Sequence, residues 1–263
     1  MQLVEPKVFL VGETRIIEDE LHMYLNHIGV PEWFSNAPTD AERVVEIMGR
    51  LCYRSFKPGL NPNVTRIREG NDEYLANIIN VKHGSVIEHP MLNFIIADVS
   101  RVFTHELVRH RVGVAISQES LRFVRLDKIR FWMPLAFRDH RKASKLTAWA
   151  VEKIEIMERW QVELAELLEI ENEKKFEIKK KLTSAMRRFA PDGLATTIGW
   201  SVNPRGLRHI ISMRTDPSAE EEIRFVFGKI AEIVTRRYPN LFGDYEVEIV
   251  DGLAWYKTPN LKI

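Results

Sequence analysis

The sequence predicts an α+β fold, with one domain spanning residues 1–263 in which helices pack around a modest, mainly antiparallel sheet. Short apolar runs typical of buried strands alternate with longer segments of helical spacing. Neither a repeat of fixed period nor a low-complexity linker divides the sequence. A chain of this length can bury its core within one such domain.

The first half of the chain contains two candidate strands and three candidate helices. The apolar runs KVFLVGET and MLNFIIADV predict buried strands at 7–14 and 91–99. Segments with helical spacing are 39–52, 72–82 and 100–110. Thr39 and Ser100 are predicted to cap the first and third of these helices. Proline, glycine and asparagine residues predict a loop at 57–65 and a turn at 83–90.

The second half of the chain is dominated by helical patterns. Residues 121–137 are irregular and aromatic, and a long helical pattern follows from about 142 to 189. The charged stretch EIENEKKFEIKKK predicts a break near Asn172, and therefore two helices. Further predicted elements are helices at 204–213 and 217–238 and a strand at 245–252.

Composition excludes several classes of function. The formal net charge of +1 provides no overall field for binding nucleic acid or an anionic membrane. The single cysteine, Cys52, rules out a disulfide within the chain and favours a reducing cytoplasm. The N-terminus lacks the pattern of a signal peptide, and no apolar run approaches the roughly 20 residues that span a bilayer. We therefore expect a cytoplasmic protein without a membrane or nucleic-acid partner.

Several familiar catalytic motifs are missing from the sequence. Neither the G-x-G-x-x-G nor the G-x-x-x-x-G-K-[ST] phosphate-binding pattern occurs. His105 and His110 in HELVRH are five residues apart, roughly 140° around a helix, so they cannot bind one zinc ion from one face. Cys52 has no neighbouring base to activate it as a nucleophile. We expect no metal site and a structural cysteine.

Arginines gather in four clusters, and two interpretations of them remain open. The clusters are Arg109 with Arg111, Arg122 with Arg125, Arg187 with Arg188, and Arg205 with Arg208 and Arg214. Guanidinium groups pair either with glutamates in salt bridges or with an anionic ligand. The first cluster favours a ligand, because Glu106 shares a helical face with Arg109 and His110. We expect that face to meet a loop that carries Ser117, Gln118 and Ser120, a set suited to a phosphate and a polar ring.

The same region resembles the signature of the flavin-dependent thymidylate synthases. HELVRHR and SQESLRF contain Arg-His-Arg, then eight residues, then Ser120 followed two positions later by Arg122. KHGSVIEH at 82–89 and the segment 187–214 resemble two further family segments, in the correct order. The resemblance covers roughly residues 45–238.

This resemblance implies a thymidylate synthase-complementing-like fold and a reductive C5-methylation of dUMP to dTMP. It implies FAD as cofactor, methylenetetrahydrofolate as carbon donor and NADPH as reductant. It also implies a homotetramer in which several subunits build each active site. Because this family does not use a cysteine nucleophile, the resemblance agrees with a structural role for Cys52.

The family's functional residues can be carried over to matching positions of this sequence. The implied cofactor-binding residues are Ser55, Ser85, Arg109, His110, Arg111, Gln118, Asn203, Arg205 and His209. The implied nucleotide-binding residues are Glu106, Arg109, Gln118, Ser120, Arg122, Arg187 and Arg214. His209 departs from the asparagine that is common in the family, and Phe123 replaces a frequent tyrosine.

Arg214 is the candidate catalytic residue. A guanidinium against the O2/N3 edge of uracil would stabilise the charge that develops as C5 becomes nucleophilic. Ser120 is assigned to binding, because no His–Asp pair adjoins it in the sequence. Arg205 and Arg214 are nine residues apart, roughly 180° around a helix, so we expect them to serve different sites unless subunits share one.

Two rival functions remain open. A sibling enzyme could perform the same flavin and folate chemistry on another uridylate such as UMP, because these motifs do not read the sugar 2′ position. A non-catalytic nucleic-acid-binding protein could also use clustered arginines, although the near-zero net charge disfavours it.

Overall fold

The structure is a computed structural model that describes residues 1–121, 126 and 128–261. Its strands are β1 (Gln2–Val4), β2 (Lys7–Glu13), β3 (Leu92–Ser100), β4 (Val114–Gln118), β5 (Arg130–Trp132), β6 (Ala195–Val202), β7 (Glu246–Val250) and β8 (Leu253–Lys257). Its α-helices are α1 (Glu18–His27), α2 (Asp40–Tyr53), α3 (Asn71–Asn80), α4 (Arg101–Leu107), α5 (Leu135–Arg138), α6 (Ala143–Leu167), α7 (Phe176–Met186), α8 (Pro204–Arg214), α9 (Glu221–Arg237) and α10 (Pro239–Phe242). Two 3₁₀ helices lie at Gly84–Glu88 and Arg187–Phe189.

The central sheet has four strands in the order β2-β3-β6-β4, and every neighbouring pair is antiparallel. Phe94 of β3 and Ile116 of β4 both lie opposite Trp200 of β6. Two smaller pairs lie outside this sheet, a parallel β1-β5 pair and an antiparallel β7-β8 hairpin. The predicted α+β fold with a modest antiparallel sheet is confirmed.

The main core lies between the central sheet and α9. Side chains of β6 alternate between the two faces, so that Ile198, Trp200 and Val202 are all buried. The Trp200 ring lies 5.9 Å from Phe94 and 5.7 Å from Phe227 of α9, measured between ring centroids. These large apolar contacts hold α9 against the sheet.

Several of the predicted elements are confirmed. Strands occur at 7–14 and 91–99, and helices occur at 39–52, 72–82, 204–213 and 217–238, within a few residues at each end. Thr39 caps α2 by accepting a hydrogen bond from the Glu42 N–H at 3.3 Å. The predicted break near Asn172 separates α6 from α7, and the predicted turn at 83–90 contains a 3₁₀ helix.

Two local predictions around the arginine signature are wrong. The helix predicted over 100–110 ends at Leu107, so Arg109 and His110 lie beyond it and share no helical face with Glu106. Gln118, expected in a loop with Ser117, belongs instead to β4. Strand β6 was not predicted from the sequence, and in it Thr197, Gly199 and Ser201 alternate with buried residues. In the part of the chain that the structure describes, no helix combines the length and the apolar composition of a membrane-spanning segment.

Candidate active site

The Arg-His-Arg segment forms a turn between α4 and β4. After α4 ends, the chain passes through His110 and reaches Gly113, whose φ of 68° lies in the left-handed region. A Cβ atom at Gly113 would lie 2.2 Å from the Asn203 side-chain nitrogen. Both the conformation and the close approach therefore require glycine here.

Asn203 joins this turn to the start of α8. Its backbone N–H donates to the Gly113 carbonyl at 3.0 Å, and its side-chain oxygen accepts from the Gly206 N–H at 2.8 Å. Asn203 thus acts as the N-cap of α8, where Pro204 follows as a favourable first helical residue. The arginine-rich turn and the positive end of a helix consequently lie side by side.

A cleft of about 570 Å³ opens at this junction. The structure brings six of the nine predicted cofactor-binding residues to its walls, namely Arg109, His110, Arg111, Asn203, Arg205 and His209. Clefts of this size are typical of small-molecule and cofactor sites. The exposed guanidinium groups and the helix N-terminus together suit an anionic ligand.

Glu88 is a lining residue that was not singled out from the sequence. It pairs with Arg205 across the cleft, and both side chains are more than 40% exposed. An exposed ion pair contributes little to stability, so an anionic ligand can compete with Glu88 for Arg205. The sequence feature that could have identified Glu88 is its position in the segment KHGSVIEH.

Arg214, at the other end of α8, is fixed by two partners from the signature region. Its Nε donates to His110 Nε2 at 2.8 Å, and its Nη1 donates to Glu106 Oε2 at 2.9 Å. The Arg214 side chain is only 14% exposed. The structure therefore brings the predicted catalytic residue, a predicted cofactor-binding residue and a predicted nucleotide-binding residue into one cluster.

His110 is held in its neutral form. Burial lowers its pKa to about 4, and the neighbouring charges of Arg214 and His209 act in the same direction. Because Nε2 accepts a hydrogen bond from Arg214, the ring proton resides on Nδ1. His110 therefore acts as an acceptor that orients a cation.

The predicted opposition of Arg205 and Arg214 is observed only in part. The two side chains do contact different elements, because Arg205 pairs with Glu88 and Arg214 pairs with Glu106. However, His110 both lines the cleft and contacts Arg214. One chain therefore places Arg214 next to the cleft, which helical spacing alone did not indicate.

The other predicted site residues do not line this cleft. Gln118 donates to Thr104 of α4 at 3.3 Å, Ser120 follows β4, and Ser85 is exposed on the first 3₁₀ helix. The Ser55 carbonyl accepts a hydrogen bond from Arg50.

Arg187 is exposed and lines a second cavity of about 660 Å³ between α6 and α7. The predictions for Arg122 and Phe123 fall outside the described residues.

Arg208, like Arg205 and Arg214, pairs with a carboxylate of the same chain, as the salt-bridge interpretation predicts. Its buried guanidinium makes two hydrogen bonds of 2.6 Å with Asp244. Burial would raise the pKa of Asp244, but the hydrogen bonds and charge of Arg208 dominate and lower it to about 2. Arg208 thus anchors α8 to the C-terminal segment.

The described part of the chain contains no group of three or more His, Cys, Asp or Glu residues arranged to hold a metal ion.

The fold and the cleft define an α+β protein with an arginine-lined site suited to an anionic ligand. Residues 35–240 match the family model described as thymidylate synthase complementing protein. The chain belongs to this family, and the resemblance noted in its sequence is confirmed.

Two relatives of the chain support the same assignment. The chain is 32% identical over 238 residues to a flavin-dependent thymidylate synthase of Corynebacterium diphtheriae, covering 88% of this chain and 90% of the relative. It is 33% identical over 224 residues to the protein of that name from Mycobacteroides abscessus, covering 81% and 85%. The expected membership in this enzyme family therefore holds over most of the chain.

A solved structure shows a similar fold. The UMP/dUMP methylase PolB from Streptomyces cacaoi, bound with 5-Br UMP, superposes with a TM-score of 0.62. The alignment covers 92% of this chain and 95% of PolB at 15% identity. At that identity the comparison bears on the fold alone.

Proposed function

We propose that this protein catalyses the reductive C5-methylation of dUMP to dTMP, with FAD as cofactor, methylenetetrahydrofolate as carbon donor and NADPH as reductant. The observation that carries the proposal is the fixed Arg214–His110–Glu106 cluster beside a cationic cleft. Related chains named flavin-dependent thymidylate synthase support the choice of reaction.

The cleft has the donor set that an anionic flavin dinucleotide needs. Arg109, Arg111 and Arg205 provide guanidinium groups, and Asn203 provides a capped helix N-terminus. These residues would hold the FAD diphosphate and ribityl portions, with His110 and His209 beside them. When bound, FAD supplies the hydride that reduces the transferred carbon.

Arg214 would activate the uracil ring. A guanidinium has five N–H donors, and the contacts with His110 and Glu106 use two of them. The remaining donors can face the O2/N3 edge of the substrate and stabilise the developing negative charge. Because His110 is neutral, it leaves the positive charge of Arg214 uncompensated, and Glu106 is the carboxylate that pairs with this guanidinium.

The remaining predicted nucleotide contacts fit a site shared between subunits. Glu106 belongs to α4 and accepts a hydrogen bond from Arg214, and Gln118 donates to Thr104 of the same helix. Arg187, in contrast, lines the separate cavity between α6 and α7. We propose a homotetramer in which residues such as Ser120, Arg122 and Arg187 complete the nucleotide site of a neighbouring copy.

The test begins with the absorbance spectrum of the purified protein, which should show bound flavin. Reduced flavin should then be reoxidised in a dUMP-dependent reaction that requires methylenetetrahydrofolate and yields dTMP. A protein that binds no flavin even when FAD is added, or that yields no dTMP, would contradict the proposal.

A second candidate substrate is UMP. Two solved structures of similar fold are of a methylase named for both UMP and dUMP. Steady-state kcat/KM values for the two nucleotides, measured under identical flavin and folate conditions, distinguish the candidates. We expect dUMP to be preferred, and a higher kcat/KM for UMP would reverse the assignment.

A further inference from the structure

Helix α4 is held at both ends by residues that flank the α8–α9 connection. At its C-terminal end, Glu106 accepts a hydrogen bond from Arg214, the last residue of α8. At its N-terminal end, both donors of Ser100 contact Glu222 in the first turn of α9. The short segment 215–220 connects these two contacts. The α8–α9 corner therefore contacts both ends of α4, a helix of seven residues.

The contact between Ser100 and Glu222 is specific in its hydrogen-bond directions. The Ser100 N–H donates to Glu222 Oε1 at 2.6 Å, and the Ser100 hydroxyl donates to Glu222 Oε2. The hydroxyl oxygen then accepts from the Phe103 N–H at 3.1 Å and so caps α4. Glu222 therefore orients the capping hydroxyl.

This carboxyl group is buried away from solvent. Glu222 is 1% exposed and Ser100 is 2% exposed, and Glu222 has no cationic partner among the described residues. Burial raises the pKa of Glu222 to about 7, although the hydrogen bonds from Ser100 act in the opposite direction. Glu220 and Glu221 of the same corner raise it further. Burying a carboxyl group costs free energy, and the two hydrogen bonds from Ser100 are the principal interactions that offset this cost.

We propose that Glu222 is a positioning residue that acts through Ser100 and α4 to fix Glu106 and His110 against Arg214. A rigid helix of seven residues transmits the position of its cap over about 10 Å to its last turn. Thr104 adds a second constraint, because it accepts a hydrogen bond from Gln118 of β4. The structural part of this proposal stands alone, whereas its catalytic consequence rests on the proposed function.

Thr39 provides a matched control at a distant helix. Its hydroxyl caps α2 by accepting from the Glu42 N–H, and it donates to the buried Glu42 carboxyl at 2.7 Å. Thr39→Ala therefore removes a hydroxyl cap that contacts a buried glutamate, as Ser100→Ala does, but leaves α4 untouched. Both substitutions should lower the melting temperature by similar amounts.

The decisive measurement is the titration of His110 in protein labelled with ¹³C-histidine, assigned with His110→Gln. Flavin content is read from absorbance in each sample and matched. In the wild-type protein and Thr39→Ala, His110 should stay neutral down to a midpoint near 4, because burial and Arg214 oppose its protonation. In Ser100→Ala and Glu222→Gln, its midpoint should move towards the ordinary value of 6.5 as the Arg214 contact loosens.

An unchanged His110 midpoint in both Ser100→Ala and Glu222→Gln would overturn the proposal, as would an equal change in Thr39→Ala. Glu222→Gln keeps the test valid if Ser100→Ala does not fold. This readout requires no turnover, so it stands even if the proposed reaction is wrong. Where dUMP is the substrate, both variants should also lose about tenfold or more in kcat with a smaller change in KM, because misplacement of catalytic groups affects the bound-state reaction.

Discussion

Arg214 donates its Nε–H to Nε2 of His110, a residue 104 positions earlier in the chain, at 2.8 Å. The bond requires an unprotonated Nε2, and the lowered pKa of His110 provides it near neutral pH. The histidine of the Arg-His-Arg signature is therefore an orienting acceptor, whereas its two flanking arginines are exposed to the cleft. Substitution of His110 should therefore affect the position of Arg214, whereas substitution of Arg109 should affect ligand binding in the cleft.

Lowering the pH should decrease the stability of the folded protein through protonation of His110. The pKa in the folded state, about 4, lies below the unfolded value near 6.5, so the unfolded chain binds a proton first as the pH falls. The contribution of His110 to stability is complete above pH 6.5 and is lost as the pH falls towards 4. His110→Gln keeps an acceptor for Arg214 but cannot titrate. Melting temperatures measured between pH 7 and 4 should fall more steeply for the wild type, and parallel curves would contradict the assignment.

Arg109→Ala should weaken FAD binding by about tenfold to a hundredfold, because a charge-assisted hydrogen bond contributes about 1.5–3 kcal/mol. Equilibrium titration of apoprotein with FAD measures the effect. Arg188→Ala removes an exposed arginine that does not line the cleft, and it should leave the affinity unchanged. Unchanged affinity in both Arg109→Ala and His110→Ala would remove the cofactor role of the turn.

Gly113→Ala should destabilise the protein by about 2 kcal/mol or more, because it adds backbone strain to a clash with Asn203. Gly59→Ala is the matched control, since Gly59 also has a positive φ but no atom near the position of an added Cβ. Urea unfolding should show a clearly larger loss for Gly113→Ala. Equal losses would mean that strain alone, and not the contact between the turn and α8, explains the glycine.

The sequence predicted the composition of the site better than its geometry. Arg109, His110, Asn203 and Arg205 could be grouped because of the motif resemblance, and the structure places them on one cleft. Their arrangement depends on long-range contacts, such as the one between Asn203 and Gly113, that spacing along a helix cannot reveal. For the same reason the end of α4 at Leu107 was missed, because helical spacing continues through a turn that tertiary contacts impose.

Mixing two inactive variants tests the proposed sharing of sites between subunits. Ser120→Ala and Arg214→Ala each remove one predicted contact to the nucleotide. If the two residues serve one site from different chains, mixed oligomers contain some intact sites and recover part of the dTMP synthesis. Subunit exchange is verified by native mass spectrometry of differently labelled chains. Complete exchange without any recovery would indicate that each site is built within one chain.

Arg214→Lys should reduce turnover far more than nucleotide affinity. Lysine keeps the charge but lacks the planar fork that contacts His110 and Glu106 while presenting further donors to uracil. Removing one donor that stabilises transition-state charge typically costs about 3 kcal/mol, or about a hundredfold in rate. Single-turnover oxidation of reduced flavin at saturating dUMP and folate isolates this step. If the variant kept the wild-type rate and showed only a weakened dUMP dissociation constant, Arg214 would be a binding residue, and the activation of the ring would have to come from another group.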